Sequence, residues 1–504
     1  MMTPAIEAAR KWLGGAGVRA WLVGGTVRDL LMGKSPCDID LATDEDPAPV
    51  ARAFADSIGG SFFTMSEEFK ACRVIAPGTS TKAEPDPGGN GGPGAGALAG
   101  SRHGFSSGHT DAFPGVTWDF VGLRAATIEE DLRDRDFTVN AMAVDLPEMK
   151  NVIDPLGGRD DLGAQRLRAA SNRAFDRDPL RLLRAVRLEK TTGLKCDPRT
   201  EALVRERAGL ALAPAAERVF SELVLLLEAP GAVAAVRRLD ELGLLQAVLP
   251  EMTALKMVEQ NDYHHLDVFE HTLENCRALE SIIRDPGRFF PDQADRLRER
   301  RRMRVAGNAG WPFLISLSAL MHDIAKPYCK FIDAGGQARF FEHDRRGAEM
   351  VTAILHRFKA GAAVTRAVSF LVGKHMRFEG LLMQRPPSDR ARLRYLRATD
   401  PWTPELIMLS VSDRLSVRGV LVSEADIEEH LDLAREMMSM CFAERVAAPP
   451  KLVGGNDLMK ALGLPPGPVV GRLLDRLLEE QQLGLIASRE EALAAATRML
   501  AEGL

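Results

Sequence analysis

The 504-residue sequence lacks the features that mark membrane and secreted proteins. No apolar run approaches the roughly 20 residues that a membrane-spanning helix needs, so no membrane role is expected. The first residues, MMTPAIEAARKWLGGAG, have no basic start, no long apolar stretch and no small-residue cleavage site of the kind found in signal peptides. These absences predict a cytoplasmic protein.

Cysteine and positive charge are also scarce. The six cysteines lie far apart, with no CxxC pair and no histidine at zinc-finger spacing, which argues against disulfides and structural zinc. A net charge of −5 excludes a uniformly basic surface, so any contact with RNA must be local. The 45% hydrophobic and 27% charged residues are typical of globular proteins, and the length predicts several packed units in series.

The amino-terminal part alternates strand and helix signals. We predict a strand at 20–23, a helix from Thr26, a strand after Asp38 and a helix at 47–58. Residues 77–115 are rich in Gly, Pro and Ser without apolar periodicity, which predicts a disordered insert. The next segment, 116–123, reads as a strand that pairs with 61–75 across that insert. Beyond about residue 160, apolar residues recur at helical spacing, so the whole chain is predicted to be α+β.

The strongest local pattern is WLVGGTVRDLLMGKSPCDIDLATD, residues 21–44. Gly24 and Gly25 fall at a strand-to-helix turn, where missing side chains let backbone N–H groups approach a triphosphate, and Arg28 adds positive charge. Asp38 and Asp40, two residues apart, share one face of a strand. That arrangement suits Mg²⁺, which would activate an RNA 3′-hydroxyl and neutralise the leaving pyrophosphate.

A third carboxylate, Asp119, lies on the strand predicted after the insert and is a further candidate at this site. Taken singly, the Gly-Gly pair is more often an ordinary turn and Asp-x-Asp a solvated strand end. Their order in one segment favours catalysis.

These residues resemble the nucleotidyltransferase superfamily in its class II branch, the bacterial and eukaryotic CCA-adding enzymes and bacterial poly(A) polymerases. EDLRDRDFTVNAMAVD, residues 130–145, resembles the segment RRDFTxNA of that family. The resemblance implies that Arg135, Asp136 and Asn140 contact the ribose and triphosphate. The first arginine of the family pattern is Asp134 here.

FDRDPLRLLRAVR, residues 175–187, resembles the nucleotide-selecting helix of the same branch, and DPLGGRDDL, residues 154–162, resembles its flexible linker. Asp178 can accept a hydrogen bond from the exocyclic amine that cytosine and adenine share, and Arg181 can donate to the adjacent ring acceptor. A surface ion pair between them is the plainer interpretation, which the upstream motifs outweigh. The family pattern Glu-Asp-x-x-Arg has Arg177 in place of its Glu. The resemblance also implies that Arg184 and Arg187 bind the nucleotide.

A second set of residues suggests another metal site. Seven of the ten histidines lie between positions 264 and 375. A lone helical histidine is usually a packing or surface residue, but helices can direct several such side chains to one point, and imidazole with carboxylate suits Zn²⁺, Mn²⁺, Ni²⁺ or Fe²⁺. The ordered set resembles the HD phosphohydrolase superfamily. That resemblance implies that one metal ion is held by His271, His322, Asp323 and Asp413. His343 and His375 would help to hold a second, and Lys326 would contact phosphate.

Further matches extend the resemblance to most of the chain. Residues 217–252 are similar to the neck and body helices of the family, and 452–493 to the tail of CCA-adding enzymes. The predicted organisation is a nucleotidyltransferase head with a mixed sheet (1–147, including the insert), an all-α neck and body that selects the nucleotide and binds RNA (148–255), an HD domain (256–420) and a helical, tRNA-binding tail (421–504).

The leading functional prediction is addition of C and A from CTP and ATP to the 3′ end of tRNA, with Mg²⁺ at the transferase site. A transition metal at the HD site would support hydrolysis of 2′-phosphates or 2′,3′-cyclic phosphates. A homodimer is compatible with the sequence.

Alternatives of the same chemistry are a poly(A) polymerase and a partial enzyme that adds only CC or only A. A different class of alternative makes the HD unit the enzyme and the head a nucleotide sensor. A purely structural RNA-binding protein would be expected to have lost both metal sites, and neither is lost.

Overall fold

The computed structural model describes residues 2–66, 70–77, 113, 115–146, 148, 149, 151–228, 230–261, 263–307, 309–383, 386–443 and 451–502. The predicted disordered insert at 77–115 lies almost wholly outside these residues and stays a prediction. The chain divides into two compact units, the first formed by Met1–Glu222 and Ala234–Val248 and the second by Leu223–Val233 and Leu249–Leu504. Among the described residues, no helix has both the length and the apolar character needed to cross a bilayer.

The strands are short and concentrate in the first 153 residues. In chain order they are β1 (Ala20–Val23), β2 (Asp38–Thr43), β3 (Ser61–Ser66), β4 (Ala71–Ile75), β5 (Thr117–Gly122), β6 (Ala143–Asp145), β7 (Val152–Ile153), β8 (Arg166–Leu167), β9 (Lys195–Cys196), β10 (Arg304–Ala306), β11 (Ala309–Gly310), β12 (Lys330–Ile332) and β13 (Ala338–Phe340).

Helices fill most of the remainder. Up to residue 253 they are α1 (Pro4–Ala16), α2 (Gly24–Leu31), α3 (Pro47–Ile58), α4 (Ile128–Arg133), α5 (Gly158–Gly163), α6 (Ala174–Arg177), α7 (Arg181–Thr192), α8 (Pro198–Arg207), α9 (Ala216–Glu228), α10 (Ala232–Glu241), α11 (Leu244–Val248) and α12 (Pro250–Thr253).

Beyond residue 253 the helices are α13 (Val268–Arg284), α14 (Pro286–Phe289), α15 (Ala294–Arg300), α16 (Trp311–Met321), α17 (Lys326–Cys329), α18 (His343–Arg357), α19 (Ala362–Lys374), α20 (Glu379–Leu382), α21 (Asp389–Thr399), α22 (Thr403–Ser416), α23 (Glu424–Phe442), α24 (Gly455–Leu462), α25 (Pro468–Gln482) and α26 (Arg489–Ala501). Short 3-10 turns lie at Thr138–Asn140, Ala208–Leu210, Pro291–Gln293 and His375–Arg377.

A seven-stranded mixed sheet organises the first unit, in the order β3-β4-β5-β2-β1-β6-β7. The pairing of β2 with β5 is parallel and the other pairings are antiparallel. Because side chains alternate along a strand, Ile39 and Leu41 are buried with Phe54 of α3 in the core on one face, while Asp38 and Asp40 share the other face. The sheet therefore holds the acidic pair on the face opposite its larger core.

The boundaries of α3 follow from its flanking residues. Asp46 accepts a hydrogen bond from the backbone of Ala48, Pro47 occupies the first turn and Gly59 ends the helix with a left-handed backbone. These signals are local, and the predicted helix at 47–58 is confirmed, as is the strand at 20–23. The helix predicted from Thr26 begins two residues earlier, at Gly24.

The strand predicted at 116–123 is β5, and it pairs with β4 as expected, while 61–75 forms the hairpin β3–β4. Ile75 lies opposite Thr117, and the Ala76 N–H donates to the Val116 carbonyl over 3.1 Å, so the chain leaves and re-enters the sheet at one point. β5 also lies beside β2, a parallel neighbour that the sequence did not indicate.

The second unit is helical, with the long helices α13, α16, α18, α19 and α22 around one buried region. The two-stranded sheets β10–β11 and β12–β13 of this unit, and β8–β9 of the first unit, are small additions to the part of the chain that is predicted to be helical. Helices α24 to α26 enclose a small core of their own around Leu458, Leu473 and Ala495. The predicted α+β fold class, a mixed-sheet head followed by helical parts, is confirmed.

Candidate active site and metal centre

The three predicted carboxylates of the head lie side by side on adjacent strands. Asp40 on β2 is directly opposite Asp119 on β5, and Asp38 is opposite Thr117, whose hydroxyl donates to the Asp38 carboxylate over 2.6 Å. Burial, reinforced by the negative charge of Asp119, raises the pKa of Asp40 to about 6. Carboxylate oxygens crowded in this way are the ligands that Mg²⁺ prefers, so the donor set fits the predicted metal.

Arg73 on β4 completes this row, and the sequence prediction missed it. It lies opposite Asp119 and makes a two-pronged ion pair with that carboxylate, over 2.7 and 2.6 Å. A partial signal was present, because Arg73 alternates with the apolar residues Cys72 and Val74, but only the pairing of β4 with β5 places it beside Asp119.

The glycine turn closes one side of this acidic row. Gly24 has a left-handed backbone, with φ of 65°, and a Cβ at this position would lie 3.2 Å from the Asp40 carboxylate and 3.1 Å from the Arg135 guanidinium. A Cβ at Gly25 would lie 3.4 Å from the same carboxylate. Both glycines thus bring the start of α2 against Asp40, where a helix N-terminus favours an anion.

The segment at 134–140 is connected to α2 and α7 by a chain of polar contacts. Arg28 donates to the Asn140 side chain over 2.7 Å, and Asn140 donates to Asp136 over 3.0 Å. Asp136 also pairs with Arg184 over 2.8 Å. Burial alone would raise the pKa of Asp136, but the charge of Arg184 and the hydrogen bond from Asn140 hold it below its usual value. These predicted nucleotide-binding residues therefore lie together.

The remaining predicted arginines differ in what they contact. Arg181 is buried and donates to the backbone carbonyls of Asp134, Arg135 and Ala174 over 2.8 to 3.2 Å. Arg187 pairs with Glu222 over 2.7 Å. Arg181 thus holds together the two segments that carry Arg135 and Asp178.

Asp178 has a neighbour that the sequence prediction did not include. Arg218 of α9 lies 2.9 Å from one Asp178 carboxylate oxygen, and the other oxygen accepts the Leu180 N–H over 3.2 Å. Nothing in the local sequence connects positions 178 and 218, so only the fold could reveal this pair.

The two residues that depart from the family pattern, Asp134 and Arg177, contact each other. Arg177, which stands where the family has Glu, forms an ion pair with Asp134, which stands where the family has Arg. Both side chains are about half exposed and line the same cavity.

One cavity of about 730 Å³ brings this whole set together. Its lining includes every residue predicted for the transferase site: Gly24, Gly25, Arg28, Asp38, Asp40, Asp119, Arg135, Asp136, Asn140, Asp178, Arg181, Arg184 and Arg187. It also includes Arg73, Arg124, Arg177 and Arg218. An excess of arginine around a carboxylate row suits a polyanion that is held beside a metal.

The six predicted ligands of the second unit also converge. His271, His322 and Asp413 have one ligand atom each within 4.8 Å of one another, and Asp323, His343 and His375 form a second such group. Asp323 joins the groups, with one carboxylate oxygen 3.0 Å from His322 Nε2 and the other 3.4 Å from His343 Nε2.

The orientation of the histidines fits a cation at their centre. The Nδ1 atoms of His343 and His375 each lie 2.7 Å from a backbone carbonyl. In both rings Nδ1 therefore carries the proton, and Nε2 has a free lone pair that can bind a metal. These two Nε2 atoms lie 3.2 Å apart, and burial lowers the pKa of His375 to about 4. Two facing lone pairs repel, and a shared metal ion would turn that repulsion into coordination.

His271 shows the same geometry. Its Nδ1 lies 3.2 Å from the Ser416 hydroxyl, which donates its own hydrogen to the Asp413 carbonyl. His271 Nδ1 must therefore donate to that hydroxyl. The lone pair of His271 Nε2 then faces the Asp413 carboxylate, 3.0 Å away. His271 Nε2 and Asp413 Oδ1 are buried, and neither has a hydrogen-bond partner within the described part of the chain. The predicted phosphate contact, Lys326, lies 2.7 Å from Asp323 and from the Gln260 side chain.

Family models match three parts of the chain. The Poly A polymerase head domain matches residues 20–84 and 107–168, the probable RNA and SrmB-binding site of polymerase A matches 193–256, and the HD domain matches 268–418. The first includes the carboxylate row and the third includes both metal-binding groups.

Whole-chain relatives agree with these matches. The A-adding tRNA nucleotidyltransferase of Deinococcus radiodurans is 35% identical over 464 residues, which are 91% of this chain and 90% of that protein. The CC-adding tRNA nucleotidyltransferase of Thermus thermophilus is 34% identical over 386 residues, 75% of this chain and 79% of that protein.

A solved structure of a CCA-adding enzyme with CTP covers 99% of this chain and 96% of its own, with a TM-score of 0.60 and 18% identity, so it shares the fold. On the extent and identity of the match to its relatives, the chain belongs to the tRNA nucleotidyltransferase family, as an enzyme with a poly(A) polymerase-type head and an HD domain.

Proposed function

We propose that this protein adds C and A from CTP and ATP to the 3′ end of tRNA. The observation that supports this best is the row of Asp38, Asp40 and Asp119 beside the Gly24–Gly25 turn in a cavity rich in arginine. A nucleoside triphosphate needs both parts, an oxygen-ligated metal and cationic contacts for its phosphates.

In the proposed reaction the 3′-hydroxyl of the RNA attacks the α-phosphorus of the nucleotide, and pyrophosphate leaves. Asp38 and Asp40 would hold Mg²⁺, which would lower the pKa of the hydroxyl and neutralise the phosphates, with Asp119 as the third carboxylate. The backbone N–H groups at the start of α2 and the guanidinium groups of Arg28 and Arg135 bind the triphosphate. They fix its orientation, which is the larger part of catalysis in phosphoryl transfer.

Base selection is assigned to Asp178 and Arg181. The Asp178 carboxylate accepts a hydrogen bond from the amine of cytosine or adenine, which guanine and uracil replace by a carbonyl. Arg181 donates from a guanidinium that is already fixed by the carbonyls of Asp134 and Arg135. A donor fixed in this way loses little entropy when the base binds.

A partial activity is the second candidate. The two relatives described above are named as an A-adding and a CC-adding enzyme, and each is about one-third identical to this chain. Addition of A alone, or of CC alone, uses the same site with a different end point.

The test is nucleotide incorporation by the purified protein with Mg²⁺, offering each nucleotide to tRNA without CCA, to tRNA ending in CC and to an unstructured RNA. Ordered addition of C, C and A supports the full activity. A alone on CC-ended tRNA, or CC alone, supports a partial enzyme. Unlimited addition of A to any RNA would replace the proposal with a poly(A) polymerase, and no incorporation on any RNA would reject it.

We also propose that the HD cluster hydrolyses a phosphoester, either a 2′-phosphate or a 2′,3′-cyclic phosphate. His271, His322, Asp323, His343, His375 and Asp413 would hold one or two transition-metal ions such as Mn²⁺, Ni²⁺, Zn²⁺ or Fe²⁺, which would activate a water molecule. Lys326, buried beside Asp323, binds a phosphate oxygen of the substrate.

The proposed division of labour follows the predicted boundaries. Residues 1–147 bind the nucleotide, 148–255 select the base and contact RNA, 256–420 hydrolyse, and 421–504 bind tRNA by shape and backbone. A cytoplasmic location and a homodimer stay predictions.

A further inference from the structure

A second cavity adjoins the HD centre and has a different chemical character. The cavity of the HD centre measures about 690 Å³ and the adjoining one about 330 Å³. Both are lined by Gly380, where a Cβ would meet open space, and the short helix α20 lies between them. The 3-10 turn at His375–Arg377 supplies a predicted metal ligand to the first cavity and Arg377 to the second.

The HD cavity has an apolar rim that metal chemistry does not require. Five large apolar or aromatic side chains that line it are 40 to 85% exposed: Tyr263, Phe341, Met376, Met383 and Leu421. Exposed aromatic side chains beside a phosphate-binding centre are surfaces on which nucleic-acid bases stack. A substrate that is only a small phosphate ester would leave this rim unused.

The adjoining cavity, lined by Arg377, Ser388, Arg390, Arg394 and Tyr395 among others, is suited to an anion. Tyr395 is buried at 4% exposure, and its hydroxyl has no hydrogen-bond partner among the residues that the structure describes. Arg390 and Arg394 are ion-paired with Glu479.

Arg377 is exposed, and no ion pair is found for it among the described residues. A phosphate group would accept hydrogen bonds from Arg377 and from the Tyr395 hydroxyl, which would otherwise stay unsatisfied.

We propose that the two cavities together bind the end of an RNA strand, with terminal bases on the aromatic rim of the HD cavity and an upstream backbone phosphate at Arg377 and Tyr395. This rests on the proposed phosphohydrolase function of the HD site. It makes the substrate an oligoribonucleotide end that carries the scissile phosphate, and it makes Arg377, Tyr395 and Phe341 substrate-binding residues.

The test compares two substrates on the full chain loaded with Mn²⁺: 2′,3′-cyclic CMP, which has no upstream phosphate, and a six-residue RNA that ends in a 2′,3′-cyclic phosphate. Arg377→Gln is expected to raise KM for the six-residue RNA about tenfold and to leave KM for the mononucleotide unchanged. Arg366→Gln is the matched control, since Arg366 is also exposed, on α19, but lines neither cavity. Phe341→Ala is expected to raise KM for both substrates.

Salt dependence adds a second readout. Loss of one phosphate contact should reduce the slope of log affinity against log salt by about 0.7 for a single strand. Equal KM values and equal salt slopes for Arg377→Gln and Arg366→Gln would overturn the proposal.

Crosslinking tests binding even without turnover. A six-residue RNA with a 3′-terminal 4-thiouridine should crosslink to the rim, at Tyr263 or Phe341, and Arg377→Gln should reduce the yield. Crosslinks confined to residues 1–248 would overturn the proposal. Hydrolysis of neither substrate with any metal would reject the phosphohydrolase function, while rim crosslinks would still support strand binding.

Discussion

At the scale of single residues, the carboxylate of Asp40 is closely enclosed by its neighbours. Its carboxylate lies beside Asp119 and two glycines, and its raised pKa of about 6 reflects burial and a like charge. Asp40→Asn keeps the shape but removes the charge that holds Mg²⁺. Since metal stabilisation contributes several kcal/mol, we expect nucleotide addition to fall at least about a thousandfold.

The measurement is single-turnover incorporation of CTP and ATP on truncated tRNA. Asp56→Asn, a carboxyl-to-amide change at an exposed position of α3 that does not line the cavity, is the control and should retain the wild-type rate. If Asp40→Asn incorporated nucleotides at the wild-type rate, the assignment of the metal site would be contradicted.

The ion pair between Asp134 and Arg177 supports a second prediction. Because it has the reverse polarity of the family pattern, we interpret it as the same contact with its charges exchanged. Asp134→Arg alone places like charges together and should lower kcat/KM for nucleotide addition about threefold to fivefold, the range of an exposed pair. The double change Asp134→Arg with Arg177→Glu should restore it.

Rescue by the double variant is the decisive comparison in steady-state assays with CTP and with ATP. A double variant no better than the worse single variant would show that the two positions act independently. Exchange of the exposed Asp295–Arg298 pair, outside this cavity, should leave nucleotide addition unchanged.

Most single residues of the site could be predicted from short motifs, because Asp38, Asp40 and the glycines lie within one segment of the chain. Arg73 and Arg218 could not be read from such motifs. Arg73 reaches Asp119 through strand pairing and Arg218 reaches Asp178 across 40 positions, so both contacts depend on tertiary packing.

At the scale of elements, the backbone conformation of the turn into α2 determines how closely the turn approaches the proposed catalytic carboxylate Asp40. Gly24 and Gly33 both have left-handed backbones, with φ of 65° and 75°, but a Cβ at Gly33 would meet nothing within 4 Å. Alanine at either position should destabilise the fold by about 1–2 kcal/mol. Only Gly24→Ala should also lower nucleotide addition, since its methyl group presses on Asp40 and Arg135.

Thermal unfolding and incorporation assays on the two variants separate these effects. Both variants should lose stability, Gly24→Ala at least as much as Gly33→Ala, and only Gly24→Ala should lose activity. Equal activities would mean that the close approach to Asp40 is dispensable.

Element prediction succeeded where signals were local and failed where pairing was not. The cap residues around α3 determine its ends, whereas the parallel pairing of β2 with β5 joins residues 79 positions apart. Gly24 and Gly25 predict a strand-to-helix turn with the helix from Thr26, whereas α2 already begins at Gly24.

At the scale of the whole molecule, the two metal sites have different ligands and should respond to different ions. Treatment with EDTA should stop both activities. Mg²⁺ should then restore nucleotide addition, and a transition metal such as Mn²⁺ or Ni²⁺ should be needed for phosphohydrolysis, because imidazole is a poor ligand for Mg²⁺. Restoration of hydrolysis by Mg²⁺ alone would contradict the ligand assignment.

Independence of the two activities is the final prediction. His322→Ala should abolish phosphohydrolysis and spare nucleotide addition, and Asp40→Asn should do the reverse, because each cavity is lined by residues of one unit. Both activities are measured on each variant. Loss of both in either folded variant would show that the sites are not separable.

The strand pairing at the ends of the Gly/Pro-rich insert also bears on how this family can change in length. Ile75 and Thr117 are opposite each other, and Ala76 and Val116 share a hydrogen bond. Strand pairing therefore holds the two ends of the segment between residues 76 and 116 next to each other. For a flexible loop, each doubling of length costs only about 0.6 kcal/mol in closure entropy. Evolution can therefore lengthen, shorten or recode this stretch without shifting Asp119 relative to Asp40, and an engineer can graft a tag or a second domain there.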